Sequence, residues 1–369
     1  MHRSAKFARA DIHSHIDPYD PSESGDVMNR NRILKTLLTV SALLAMILDA
    51  KTAFRGASEG LELCLKVVIP SLFPYLFLCA LLTEQMKASP TIRFPLEKPL
   101  GMPRGTGMLW VLGFLGGYPS GAQNLNQWYC GGKLQKTDAQ RMLGFCSNAG
   151  PAFLFGMGAK LFENPIAPWM LFGIHILSSF LTGLILPGKS SDHWKDQDYK
   201  PETAGTLFRR SLAAMAGICG WVILFRILYT FLLRWFGWLF PDSLRCLLAF
   251  LLELSNGVKE LGNLPLPGLR FLIFAPMLSF GGLCVYMQTL SVTQELGCGF
   301  YLRGKLLQSL FSLILAVFLE PFLFLPEEQF HHPALWFAAI PIFYFALKKC
   351  KFTVAFPRKM QYNSFKNLQ

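Results

Sequence analysis

The feature that most constrains this sequence is a series of long apolar runs that are nearly free of charge. Several of them approach the roughly 20 residues that a helix needs to cross the ~30 Å hydrocarbon layer of a bilayer. The runs lie near residues 33–48, 67–82, 105–118, 142–159, 165–187, 211–225, 271–292, 306–325 and 333–347. Because lipid cannot satisfy backbone polar groups, such runs predict helices. The sequence therefore predicts an all-α polytopic membrane protein with eight to ten membrane segments.

Composition and charge placement support lipid as the solvent. Hydrophobic residues make up 52% of the 369 residues and charged residues only 16%, whereas ordinary soluble domains carry about 25% charged residues. The net charge of +12 comes largely from Lys and Arg beside the apolar runs, including Arg30, Arg32 and Lys35 before the first run. The positive-inside rule then predicts cytoplasmic ends. We expect no nucleic-acid partner, because the sequence has no motif that reads RNA or DNA.

The charge pattern also predicts how the chain is divided. We expect a disordered polar tail (1–30), a first membrane half (31–187), a hydrophilic connecting loop (188–206), a second membrane half (207–348) and a basic cytoplasmic tail (349–369). Asp11, His13 and His15 resemble the opening metal motif of PHP-type phosphoesterases, but no matching ligands follow before the apolar runs begin. We therefore expect no metal and no cofactor. The nine cysteines have no metal-binding spacing and are expected to act as small hydrophobic residues.

Two breaks interrupt apolar sequence in the first half. The stretch 112–123, "LGFLGGYPSGAQ", holds four glycines and a proline, and "SNAGP" at 147–151 places Gly150 before a proline, where helical backbone is disfavoured. Broken backbone at membrane depth persists only where it is buried in protein or lines a watery cavity. These stretches therefore predict broken or re-entrant helices.

The first break has a counterpart in the second half. A shift of 165 residues places Gly116 and Gly117 on Gly281 and Gly282, and Gln123 on Gln288. Breaks in corresponding places of two membrane halves are typical of transporters with internal repeats, whose substrate site lies between the halves. The alternative is that these small residues only let helices pack closely.

Five blocks of the sequence resemble a known family in the order in which they occur. They are "IPSLFPYLFL" (69–78), "GFLGGYPSGAQ" (113–123), "SNAGPAFLFG" (147–156), "LLELSNGVKEL" (251–261) and "LSFGGLCVYMQ" (278–288). Over residues 32–325 the chain resembles the sporulation integral membrane protein YlbJ family, within the nucleoside-recognition (Gate) group. The resemblance implies a bacterial cell-membrane protein that moves dipicolinic acid across the outer forespore membrane during endospore formation. Gln123 stands where the family commonly has Lys, so no cationic role is expected there.

The predicted substrate is a small organic anion, and the breaks supply groups that suit one. Unpaired amides at the start of a half-helix carry about half a positive charge and bind anions. Tyr118 is expected either to stack on an aromatic substrate or to be a core residue. We assign substrate binding to Gly116, Gly117, Tyr118, Pro119, Ser120, Gly121, Gln123, Ser147, Asn148, Ser279, Gly281, Gly282 and Gln288.

Three ionisable or titratable residues lie within apolar sequence. Glu253, in "LLAFLLELSN", would cost at least ~2.5 kcal/mol as an ion at the middle of the membrane. It either couples transport to protons or a cation, or it hydrogen-bonds a broken helix near Asn256. Arg226 is expected to extend towards the membrane interface. His175 is expected to be a packing residue whose polar atoms are satisfied.

Catalysis is not predicted, because the sequence has no metalloprotease motif, nucleophile elbow or P-loop. The leading hypothesis is a membrane transporter of a small organic anion, most simply dipicolinate. One alternative is a carrier of nucleosides or other polar metabolites on the same scaffold. A second is a sporulation membrane scaffold that transports nothing. The expected partners are an anionic small molecule and the lipid bilayer, and homo-oligomerisation is left open.

Overall fold

A computed structural model describes residues 21–88, 94–186, 188 and 201–324, with side chains described from residue 32 onward. Most of both predicted tails, the run at 333–347, most of the predicted loop and the three residues of the Asp11 motif lie outside the described residues. The described residues fall into two compact units, 21–50 and 51–324. The first unit consists mainly of helix α1 (Pro21–Leu48).

The second unit is helical throughout, and no strand occurs among the residues that the structure describes, which confirms the all-α prediction. Its helices are α2 (Ala50–Leu63), α3 (Ile69–Ala88), α4 (Gly107–Leu115), α5 (Ser120–Cys130), α6 (Lys136–Cys146), α7 (Pro151–Gly156), α8 (Ala167–Ile185), α9 (Ala204–Phe236), α10 (Asp242–Leu252), α11 (Leu254–Leu261), α12 (Pro267–Phe280), α13 (Gly282–Val292) and α14 (Tyr301–Phe324). A π-helical turn, Cys64–Val68, joins α2 to α3 shortly before Pro70.

Within the described ranges, five helical stretches are long and apolar enough to cross a membrane. They are Ala50–Met86, Ala167–Ile185, Ala204–Leu239, Pro267–Val292 and Tyr301–Phe324. This is fewer than the eight to ten segments predicted, partly because several apolar runs form short helices instead. An 11-residue helix such as α5 or α6 is about 16 Å long, roughly half of the hydrocarbon layer.

Helix α14 shows how an apolar helix can hide a polar face. Its outward face carries exposed apolar side chains, namely Leu302, Leu306, Leu310, Leu313 and Val317. Lys305, Gln308 and Ser312, three to four residues apart, lie on the opposite face and are completely buried. The apolar face fits a lipid environment, and the polar face points into the interior of the unit.

Close helix packing brings α2 against α9. Gly56 and Gly60 lie four residues apart on one face of α2, and a Cβ on Gly56 would lie 2.8 Å from the Cα of Ile227. Small residues at this spacing allow two membrane helices to approach closely. On the same helical stretch, Glu62 and Lys66 lie four residues apart and form an exposed ion pair, with Oε1 and Nζ 2.7 Å apart.

Candidate functional site

The two glycine breaks predicted to correspond meet in the structure. Helix α4 ends at Leu115 and α5 begins at Ser120, and Gly117 between them has a φ of +69° that favours glycine. Helices α12 and α13 are separated at Gly281, with a φ of +82°. The Tyr118 hydroxyl donates a hydrogen bond to the carbonyl oxygen of Ser279, at 3.0 Å. The side chain of Tyr118 thus ties the break between α4 and α5 to the end of α12.

Two further breaks join this pair. Helix α6 ends at Cys146 and α7 begins at Pro151, and a Cβ on Gly150 would lie 3.1 Å from the Cα of Gly117. Helices α10 and α11 are separated at the single residue Glu253, and a Cβ on Gly282 would lie 2.6 Å from the carbonyl oxygen of Phe250. The four breaks therefore converge on one region of the second unit.

A buried ammonium group lies at this convergence. The Lys305 side chain is fully buried, and its Nζ donates to Gln308 Oε1 at 2.6 Å and to Asn148 Oδ1 at 3.3 Å. It also contacts the Tyr118 hydroxyl at 3.4 Å and the Ser147 carbonyl oxygen, just after the end of α6. A cation is favoured there because the carbonyls at a helix C-terminus carry partial negative charge. All of these acceptors are neutral.

His175 extends the polar region through a directional chain of hydrogen bonds. The Ala149 amide donates to His175 Nε2 at 3.0 Å, so in the neutral ring the proton is on Nδ1, which faces Ser279 Oγ at 3.0 Å. The chain continues through the hydroxyls of Ser312 and Ser178 and returns to the carbonyl oxygen of His175. The prediction of a satisfied packing histidine is confirmed.

We call this group the central polar cluster: Tyr118, Ser147, Asn148, His175, Ser178, Ser279, Lys305, Gln308 and Ser312. The cluster joins the break between α4 and α5 and the break between α6 and α7 to helices α8, α12 and α14. The sequence alone does not identify Lys305 or Gln308, because Lys305 directly precedes the apolar run at 306–325, where a lysine resembles an ordinary flanking charge. The available signal was the spacing of Lys305, Gln308 and Ser312, which puts three polar side chains on one helix face.

Glu253 caps helix α11, which follows the break between α10 and α11. Its two carboxylate oxygens accept hydrogen bonds from the backbone amides of Ser255, at 2.9 Å, and Asn256, at 2.8 Å, and the side chain is almost fully buried. These are amides that α11 cannot satisfy within itself. Glu253 therefore supplies from within the chain the anion that the start of α11 favours.

Arg226 stabilises the same region from α9, and the prediction that it extends towards the interface is wrong. Its Nη1 donates to Asn256 Oδ1 at 2.7 Å, and its Nε and Nη2 donate to Glu59 Oε2 of α2. A buried guanidinium with a carboxylate partner nearby has no need to reach water. The bonds link α2, α9 and the start of α11.

A small cavity of about 50 Å³ lies where the breaks meet, enough for a water molecule. Its walls include Tyr118, Gly150 and Glu253 from three different breaks, together with Ile218 and Gln288. Glu253 is thus both a helix cap and part of a cavity wall.

A larger cavity of about 640 Å³ adjoins the small one, since Ile218 and Gln288 line both. Polar residues from α5, α9 and α13 contribute to its walls, among them Gln123, Asn126, Gln127, Arg210 and Gln288. Its volume lies within the range of ligand pockets, about 300–1,000 Å³. We call it the amide cavity, after its four carboxamide side chains.

The predicted site residues occupy three places. Gly116, Gly117, Pro119, Gly281 and Gly282 form breaks, and Ser120 and Gly121 begin α5. The side chains of Tyr118, Asn148 and Ser279 belong to the central polar cluster, as does the carbonyl of Ser147. Gln123 and Gln288 line the amide cavity, whereas Asn256 lies beside Arg226. Of the cluster residues, Tyr118 alone also lines a described cavity.

Taken together, the fold and these breaks define a class: an all-helical membrane protein whose broken helices converge next to a polar cavity. The chain is similar to the sporulation integral membrane protein YlbJ of Bacillus subtilis (strain 168), with 26% identity over 171 residues. The aligned part is 43% of this chain and 41% of YlbJ. This similarity supports the resemblance to the YlbJ family that the five ordered blocks indicate.

The chain matches less than half of the length of this relative. No family model matches the sequence. No solved structure matches it either. Within the described part of the chain, no group of three or more His, Cys, Asp or Glu side chains could hold a metal ion.

Proposed function

We propose that this protein is a membrane transporter of a small organic anion, with dipicolinate moved across the outer forespore membrane of a sporulating cell as the specific case. The name of the relative supports a sporulation membrane protein. The observation that carries the transport proposal is the position of the amide cavity, directly beside the region where the four breaks converge.

A transport route needs a binding space next to backbone that can rearrange. The amide cavity is large enough for a small aromatic diacid, and Gln288 stands between it and the small cavity at the breaks. In transporters, substrate sites lie beside discontinuous helices, and rocking of one helix group against another alternates access. A scaffold that only recruits partners has no need of such breaks.

Two helix pairs also support the proposed internal repeat. In each pair, a glycine break separates an apolar helix (α4 or α12) from an 11-residue helix (α5 or α13). Gln123 is the fourth residue of α5 and Gln288, its counterpart at the 165-residue shift, is the seventh residue of α13, and both line the amide cavity. We propose that the two halves contribute equivalent walls and that, with the parts outside the described residues, the protein reaches eight to ten membrane segments.

Glu253 is our candidate for coupling transport to protons or a cation. It lines the small cavity on the route between Gln288 and the breaks, and it also holds the start of α11. Protonation of its carboxyl group would weaken two hydrogen bonds to backbone amides. In this way a change of charge at one residue would alter the stability of a break.

A nucleoside or another neutral polar metabolite is the second candidate substrate. The four carboxamide side chains that line the amide cavity can both donate and accept hydrogen bonds, which suits a neutral solute with several polar groups. Arg210, which lines the same cavity together with its partner Glu202, favours an anion instead, through the nitrogens that Glu202 does not bind. The two candidates differ in the charge of the solute and can be separated by a direct measurement.

The test is uptake of radiolabelled dipicolinate into liposomes that contain the purified protein, compared with protein-free liposomes and with uptake of labelled uridine. We expect saturable dipicolinate uptake that depends on the protein and little uridine uptake. Uridine uptake without dipicolinate uptake would contradict the proposed substrate and favour the second candidate. Uptake of neither solute by folded protein would favour the scaffold alternative.

A further inference from the structure

Arg210, near the start of α9, is only partly satisfied by its partner. Its Nη1 donates to both carboxylate oxygens of Glu202, at 2.7 and 2.8 Å. Its Nε and Nη2 are buried and have no hydrogen-bond partner among the described residues. These two atoms form one complete edge of the guanidinium fork, the edge that binds a carboxylate through two parallel hydrogen bonds.

The amide cavity, which Arg210 lines, has other polar atoms without partners in its lining. Both polar atoms of the Gln127 side chain and the Oδ1 of Asn126 are buried and unbonded within the described ranges. Asn126, Gln127 and Arg210 all line the amide cavity. Buried polar groups in proteins are almost always hydrogen-bonded. Several unbonded ones among the residues that line a single cavity therefore indicate a polar ligand that completes them.

Charge selects the class of ligand. The unbonded atoms of Arg210 are donors on a cation, and they favour an anionic group with two adjacent acceptor oxygens. The third nitrogen, Nη1, already donates to Glu202. Glu202 is itself held in place, because its backbone amide donates to Glu84 Oε1 at 2.7 Å, and it therefore keeps the guanidinium oriented. The amides of Gln127 and Asn126 add neutral hydrogen bonds beside the charged edge.

We propose that the Nε–Nη2 edge of Arg210 binds a carboxylate of the substrate in the amide cavity, with Gln127 beside it. This inference rests on the proposed transport of an organic anion and names the residue that recognises its charge. Arg210 binds the substrate through one edge while Glu202 holds the other side, so the carboxylate can leave without exposing an unpaired guanidinium. The site is thereby suited to bind and then release.

The experiment measures binding to the purified protein in detergent by calorimetry, with dipicolinate and with its uncharged analogue pyridine-2,6-dicarboxamide as probes. Arg210→Gln should weaken dipicolinate binding by about 10- to 100-fold, the loss expected for a charged hydrogen-bonded pair. It should leave the weak binding of the diamide unchanged. The matched control is Arg209→Gln, which removes the same charge from an exposed neighbour.

Arg210→Lys provides a second variant in case Arg210→Gln does not fold. It keeps the positive charge and a partner for Glu202 but lacks the two-donor edge, so dipicolinate binding should also weaken. Wild-type affinity in folded Arg210→Gln or Arg210→Lys would overturn the inference and leave the proposed function intact. Absence of dipicolinate binding by the wild-type protein would count against both.

Discussion

Gly113→Ala is expected to abolish the native fold. A Cβ on Gly113 would overlap the carbonyl oxygen of Cys146, and a Cβ on Gly121 would meet the same oxygen. Helices α4 and α5 thus both pack against the backbone at the end of α6, which has no flexible side chain to move aside. We expect a loss of about 3 kcal/mol or more, measured as loss of the monodisperse peak in detergent size-exclusion chromatography.

The control for this variant is Gly173→Ala on α8. Among the described residues, no atom beyond the backbone of its own helix lies within 4 Å of a Cβ at Gly173, and alanine is the better helix former by about 1 kcal/mol. This variant should be as stable as the wild type or slightly more stable. Normal folding of Gly113→Ala would contradict the close packing of α4 against the backbone at the end of α6.

Gln308→Leu is expected to destabilise the protein by about 1.5–3 kcal/mol, the value of a hydrogen bond to a charged group. The substitution removes the acceptor 2.6 Å from Lys305 Nζ and the donor 2.9 Å from Asn148 Oδ1. The fully buried Lys305 Nζ then has one fewer hydrogen-bond partner. The free energy of unfolding can be measured by titration with sodium dodecyl sulfate in mixed micelles.

A double-mutant cycle with Lys305→Met separates this cause from a simple packing defect. Once the ammonium is gone, loss of the Gln308 acceptor costs little. We expect the double variant to be at least about 1 kcal/mol more stable than the summed single effects. The control pair is Gln308→Leu with Lys98→Met, whose exposed lysine should give additive effects within about 0.5 kcal/mol. Additivity in both pairs would show that Lys305 and Gln308 do not interact.

The breaks could be located from the sequence because each combines strong local signals. Gly117, Gly281 and Gly282 interrupt apolar runs with residues that adopt a positive φ, and Pro151 follows a residue that it drives out of helical backbone. Glu253 drew attention as an acid in an apolar run, although its part in capping α11 depended on knowing where α10 ends.

Other functional features depend on tertiary contacts that local patterns do not encode. Lys305 precedes an apolar run, and only the helical spacing to Gln308 and Ser312 shows that it faces inward. Arg210 has an ordinary sequence context, and its unbonded edge is seen only once α9 and α5 line the same cavity. Arg226 was assigned to the interface because its partner, Glu59, lies 167 positions away in the chain.

The central claim is that the amide cavity lies on the path of the substrate. Ala214, on α9, lines this cavity, whereas Ala216 is exposed, two positions further along the same helix, and does not. The most direct test is dipicolinate uptake into liposomes by Ala214→Trp, which fills the cavity, and by Ala216→Trp, normalised to folded protein. The account predicts that Ala214→Trp loses nearly all uptake and that Ala216→Trp keeps it. Equal uptake by both variants would contradict a substrate path through the amide cavity.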